Sequence, residues 1–277
     1  KTESSLKCAP YFKSKGDNYS SVNDPQNNFA YLYGSPCIKM NDKKINAIII
    51  GATGAVGREL VDYLLMNDNY GKVTVFVRRI IDRWEKLSEE KKKKLNIIKT
   101  ENLDFMSEDK EKILSLLNDN TQYDVLFNVL GSRVGRGEEE FRKVDFTYVV
   151  NSCILCEKLN ISHFSNCSAA NASKDSWFLY CRVKGEAEEE CLKKNVNYIS
   201  IMKPGIILNR ENDDRLGEKI IAYIPFLPKI TSKDIAMSML MDDLEYQQGK
   251  KEKKAIRISH SEMEALAAKG NQIMKIK

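Results

Sequence analysis

Apolar residues along this chain come in short unbroken runs, most of them followed by a stretch in which they recur every three or four positions. The runs at 45–50 (INAIII), 73–77 (VTVFV), 95–99, 124–130 (DVLFNVL), 161–167 and 197–202, with a late one at 255–259, predict β-strands. Between them, 55–66, 109–117, 138–159 and 178–194 carry a helical stripe, marked in the first by Val56, Leu60 and Leu64. Strand and helix in regular succession predict a parallel sheet covered by helices on both faces. The expected architecture is α/β, a doubly wound parallel sheet (Rossmann fold) over 45–277. A small C-terminal substrate lobe is expected near 209–233. There Ile220, Ile221, Tyr223, Ile224, Phe226 and Leu227 either line an apolar pocket or pack the lobe on the sheet.

Residues 1–44 break this pattern. They are rich in Lys, Asn, Ser and Asp, hold no hydrophobic period, and predict an extension that is partly irregular or wrapped on a surface. The missing initial methionine fits processing from a longer precursor or an arbitrary boundary. The remainder suits a globular domain, since 42% of the 277 residues are apolar and 30% charged. Lys and Arg number 44 against 39 Asp and Glu, and the resulting +5 is too small an excess to imply nucleic acid. The densest basic run, 91–94, lies beside Glu85, Glu89 and Glu90 and reads as a solvated face.

No apolar run approaches the roughly 20 residues of a transmembrane helix. The seven cysteines are irregularly spaced, which argues against an exported disulfide framework and for a reducing interior, cytoplasmic or organellar, mitochondria included. Cys153 and Cys156 fall within a helical pattern and read as buried rather than metal-binding.

Candidate chemistry begins where the first strand ends. In GATGAVGREL, Gly51, Gly54 and Gly57 permit a tight turn, and the free amides and positive end of the next helix suit a pyrophosphate. Arg58 and Glu59 stand where a triphosphatase loop would place Lys and Ser or Thr, so that alternative is poor. The second strand runs into Arg78 and Arg79, where NAD-binding versions carry an acid; two guanidiniums suit the 2′-phosphate of NADP, or are ordinary solvated charges. After the third strand, Asp104 could accept from an adenine amine or be a plain loop acid. Tyr180 and Lys184 share one helix face, and an ammonium beside a phenol brings proton transfer at an alcohol or carbonyl oxygen within reach at neutral pH. Ser168, at the end of the preceding strand, could hydrogen-bond the same oxygen.

Taken in order, GATGAVG, the strand end NVLG (128–131), Ser168, Tyr180-x-x-x-Lys184 and KPG (203–205) resemble the short-chain dehydrogenase/reductase superfamily. The stretches HFSNCSAANASKDSWFLYCRVKGEAEEE and RRII are most similar to its atypical group, which includes the human Tat-interacting oxidoreductase and fungal mitochondrial relatives. The resemblance covers about residues 44 to 270 and leaves the extension unexplained. It implies that Gly51, Thr53, Gly54, Ala55, Val56 and Gly57 line the phosphates of NADP(H), with Arg78 and Arg79 at the 2′-phosphate and Asp104 at the adenine. It further implies that Leu130 and Gly131 flank the ribose, Lys184 binds the nicotinamide ribose and tunes Tyr180, and Pro204 and Gly205 border the nicotinamide amide. Ser168 and Tyr180 would then face the substrate.

Two departures stand out. Asp145, with Asn151 further along, occupies the region where many members carry a relay asparagine, and Arg133 and Arg136 sit in a loop that is variable among relatives. The expected activity is NADPH-dependent hydride transfer to a carbonyl, with carbonyl or alcohol substrates. The alternative is an NADPH-bound scaffold or accessory subunit whose residues 1–44 engage a protein partner. A sugar-nucleotide epimerase shares the fold and the Tyr/Lys pair, but the chain is short for its substrate domain and the arginines point away from NAD.

Overall fold

In the computed structural model, which describes residues 43–118, 120–132, 134–208, 228–252 and 254–275, the run 45–50 forms β1 (Ile45–Ile50). From Ala47 to Ile50 it has no exposed surface. A strand with no solvated face belongs inside a parallel sheet with helices above and below. Around it lie β2 (Tyr70–Val77), β3 (Leu95–Lys99), β4 (Val125–Asn128), β5 (His163–Cys167), β6 (Tyr198–Met202) and β9 (Ala255–Ile258), all parallel, in the order β3-β2-β1-β4-β5-β6-β9. Ile50 stands opposite Phe76 of β2 on one side and Asn128 of β4 on the other. The winding therefore reverses between β1 and β4, and the crevice beyond their carboxyl ends is where such sheets bind ligands.

Alternation along β1 separates two cores. Ala47 and Ile49 pack with Leu60 and Leu64 of α1 (Ala55–Met66), Ile235 and Leu240 of α8 (Ser232–Gln247) and Met263 of α9 (His260–Lys275). Ile48 and Ile50 pack with Ile113 of α4 (Lys110–Leu117), Val149 and Cys153 of α6 (Tyr148–Leu159) and Ala187 and Cys191 of α7 (Leu179–Leu192). Two shorter helices precede β3, α2 (Asp82–Glu85) and α3 (Glu89–Lys94); α3 buries no side chain, in keeping with a solvated charge run.

Three features go beyond the hydrophobic pattern. The helix expected over 138–159 is interrupted, α5 (Glu138–Arg142) passing through a π turn at Lys143–Thr147 before α6. Helices α8 and α9 were not marked by the stripe, because α8 is buried almost all round, including its Asp242 and Asp243. Finally, β7 (Ile206–Leu208), just before the expected lobe, and β8 (Lys229–Thr231), near its end, form a separate parallel pair. Residues 209–227 of that lobe, the extension 1–42 and Arg133 lie outside the described residues.

A buried polar network ties α8 to the amino-terminal edge of the sheet. His163 Nδ1 meets Asp243 Oδ1 at 2.7 Å and its Nε2 meets Ser200 Oγ at 2.9 Å, while Tyr70 donates to the other oxygen of Asp243 and Gln247 to Oδ1 at 3.0 Å. Tyr198 donates to Asp242 at 2.9 Å, and Lys251 also pairs with that carboxylate. Burial, and then the Asp243 charge, push the Tyr70 phenol well above its ordinary range, so it serves as a donor. The Ser200–His163–Asp243 order imitates an acyl-transfer triad, but all three residues are fully buried and no substrate reaches them. The network is structural. Asp243→Ala, which strips Tyr70, His163 and Gln247 of their acceptor, is expected to cost about 3–5 kcal/mol in urea unfolding; a loss below about 1 kcal/mol would show that the network does not hold α8 in place.

Candidate cofactor and proton-transfer site

At the carboxyl end of β1 the backbone turns through Gly51, whose φ of +92° is strained for any residue with a Cβ. A Cβ there would also stand 2.8 Å from the Val129 carbonyl carbon and 2.9 Å from the Leu130 nitrogen, against the backbone leaving β4. The Gly54 amide donates to the Gly51 carbonyl at 3.0 Å and closes the turn, and Gly54 leads α1 in an extended conformation. Gly57 lets the first turn of α1 settle onto the loop, since a Cβ would approach the Ala52 Cα to 2.7 Å. No side chain caps α1 and no acid lies in its first turn, which leaves its amino end positive. Thr53 and Gly54 are exposed, Ala55 is half-buried, and Val56 turns into the core. The cradle is thus mostly backbone, as a pyrophosphate requires.

Arg78 and Arg79 follow β2 at the same edge of the sheet, exposed and without a protein hydrogen bond or ion pair among the described residues. Asp104, in a 3-10 turn after β3, already accepts from the Tyr148 hydroxyl at 2.9 Å and from Lys143 at 3.3 Å. One acceptor position thus faces a phenol and another a surface ammonium, so the carboxylate is oriented before any ligand arrives. Leu130 is half-buried and Gly131 is exposed with open space around it.

Tyr180 and Lys184 lie on α7, with the Lys184 ammonium 5.5 Å from the Tyr180 ring centroid. The tyrosine ring stacks on Phe141 of α5 at 5.9 Å. Lys184 is buried and pairs at 2.9 Å with Asp145, which the π turn places against it with no exposed surface. The other carboxylate oxygen of Asp145 accepts both the Ser132 amide, at 2.8 Å, and its hydroxyl, at 2.6 Å. Burial works against the Lys184 ammonium, but Tyr180 and Asp145 outweigh it and raise its pKa above the lysine range. Ser132 follows β4, so this chain of contacts carries the Tyr180–Lys184 pair to the edge that holds the glycine turn.

Ser168 is reached by a different route. Its amide donates to the Met202 carbonyl at 2.9 Å, continuing the β5–β6 ladder, and its hydroxyl donates to Glu188 rather than toward Tyr180. Glu188 is buried and also takes Lys203 at 3.0 and 3.1 Å and Arg257 Nε at 3.0 Å. Pro204 accepts from the Ala170 amide at 2.8 Å, and the Gly205 amide donates to His260 Nδ1 at 3.0 Å. Glu188, Ser132 and His260 escaped the sequence reading. Glu188 had a usable signal, because it continues the Tyr180–Lys184 face four residues on; Ser132 and His260 are brought in only by tertiary contacts.

Residues 51–240 match the NAD(P)H-binding family. HTATIP2 of Rattus norvegicus is 33% identical over 181 residues, covering 65% of this chain and 69% of that protein. FMP52-2 of Scheffersomyces stipitis, named as mitochondrial, is 27% identical over 181 residues, covering 64% and 73%. Among solved structures, a short chain dehydrogenase family protein from Francisella tularensis aligns with a TM-score of 0.56 at 15% identity, over 79% of this chain and 99% of that one. A UDP-galactose 4-epimerase aligns with a TM-score of 0.56 at 13% identity, over 78% and 76%. At such identities the structural likeness is one of fold alone. With the sheet order and the glycine turn, these matches assign the chain to the NAD(P)H-binding family, as an atypical short-chain dehydrogenase/reductase close to HTATIP2.

Proposed function

We propose that the protein is an NADPH-dependent oxidoreductase acting on a carbonyl or the corresponding alcohol. The observation that carries this reading is the contact chain Ser132–Asp145–Lys184–Tyr180, which sets a phenol and a buried ammonium at the edge that carries the glycine turn. The backbone cradle fits a dinucleotide, since the amino end of α1 carries no side-chain cap and no acid in its first turn. Gly51, Thr53, Gly54, Ala55, Val56 and Gly57 would hold the pyrophosphate. Arg78 and Arg79 would hold the 2′-phosphate and Asp104 the adenine. Leu130, Gly131 and Lys184 would hold the nicotinamide ribose, and Pro204 and Gly205 the amide. When bound, the cofactor supplies or takes the hydride. Tyr180 moves the proton at the substrate oxygen, Lys184 favours its ionised form, and Ser168 orients that oxygen.

One observation favours a second reading, a nucleotide-bound scaffold with little turnover. The two residues expected to work with Tyr180 are committed to buried carboxylates, Lys184 to Asp145 and Ser168 to Glu188. In that reading residues 1–44 would engage a protein partner. The mitochondrial names of the fungal relatives support an organellar location under either reading, and among the described residues no helix is long and apolar enough to cross a membrane.

Fluorescence titration with NADPH and NADH tests the cofactor. NADPH is expected to bind more tightly, and Arg78→Ala/Arg79→Ala to erase a preference of about tenfold or more, the scale of charge-assisted hydrogen bonds; equal affinities in the parent protein would overturn the NADPH assignment. Over a panel of aldehydes and ketones, Tyr180→Phe should lower turnover by about a hundredfold or more while leaving the NADPH Kd within a factor of about two. A parent protein that holds NADPH through purification yet reduces no carbonyl would instead support the scaffold.

A further inference from the structure

We infer that Asp145 is a positioning residue whose charge offsets that of Lys184, so that the ion pair, rather than the lysine alone, sets how readily Tyr180 releases its proton. The inference rests on the proposed role of Tyr180 as the proton-moving group. Three observations support it. Asp145 has no exposed surface and Lys184 almost none, so water screens neither from the other. Their 2.9 Å contact is a direct ion pair. The Ser132 amide and hydroxyl both grip one carboxylate oxygen and turn the second toward the ammonium, and the π turn fixes the carboxylate from its own side.

The Lys184 ammonium lies 5.5 Å from the Tyr180 ring centroid, and Asp145, on the π turn, pairs with that ammonium. Cys167 at the end of β5 is the other titratable group acting on Lys184, and Phe141 from α5 covers the ring with an apolar face. A lone buried ammonium would act on its surroundings as a poorly screened charge. Paired with a buried carboxylate, it presents mainly a dipole, whose field at the phenol is a fraction of the monopole's. The carboxylate therefore opposes the pull of the ammonium on the phenol. That opposition is lifted when something draws Lys184 from Asp145, and the ribose hydroxyls that Lys184 is proposed to bind have the chemistry to do so.

The test needs neither substrate nor cofactor. Tyrosines labelled at Cζ are titrated by NMR in the full chain, with Tyr180 assigned by loss of its resonance in Tyr180→Phe. Asp145→Asn keeps the size of the side chain and an acceptor for Ser132 but removes the charge. Its Tyr180 midpoint is expected to fall by about one pH unit, the scale of one newly unopposed charge. The double variant Lys184→Met/Asp145→Asn replaces the pair with neutral groups, a change that buried pairs often tolerate. Its midpoint is expected within about half a unit of the parent's. A midpoint that does not fall in Asp145→Asn, or that rises by about a unit or more in the double variant, would show that Lys184 acts unopposed and overturn the inference. NADPH titration of the same samples keeps the two proposals apart: shifts as expected without NADPH binding would sink the redox reading and leave the ion-pair role standing, and binding without the shifts would do the reverse.

Discussion

The architecture turns on one close approach, the Gly51 backbone against Val129 and Leu130. Because β1 and β4 are neighbours at the point where the winding reverses, the loops leaving them share one crevice. Only a residue without a Cβ lets these loops touch, and the touch leaves the turn as bare amides beneath the positive end of α1. The strand ends proposed to bind a cofactor, from Arg78 beyond β2 to Gly131 beyond β4, lie to either side of that contact.

The two ends of the sheet solve opposite problems with the same materials. At the amino-terminal edge, Asp242 and Asp243 are surrounded by Tyr70, His163, Tyr198, Gln247 and Lys251 and pin α8 to the strands. At the carboxyl edge, Asp145 and Glu188 are equally buried, but their partners Lys184 and Ser168 belong to the site proposed for proton transfer. A buried carboxylate held by several partners rigidifies what it holds. At one edge that rigidity serves stability; at the other it fixes the resting positions of Lys184 and Ser168.

The π turn explains how a single residue acquires such influence. A regular α-helix across 138–159 would keep one fixed repeat of side-chain directions, whereas the wider turn at Lys143–Thr147 re-aims the helix locally and delivers Asp145 into the interior. Phe141, one turn earlier, lands under Tyr180. Acid, ring and ammonium converge because of a local irregularity that no hydrophobic repeat encodes.

By itself the sequence determined the strands 45–50 and 95–99 and the helix 55–66 to the residue, the parallel class of the sheet, the glycine turn and the helical face shared by Tyr180 and Lys184. Those features depend on local periodicity and on residues whose conformational latitude is intrinsic, such as glycine. Tertiary structure alone decided the rest. Helix α8 has no solvated face to reveal its period, and the partners of Lys184 and Ser168 come from residues 39 and 20 positions away in the chain. Which carboxylate faces which cation follows from how the helices stack on the sheet, and that packing is a property of the whole fold rather than of any window along the chain.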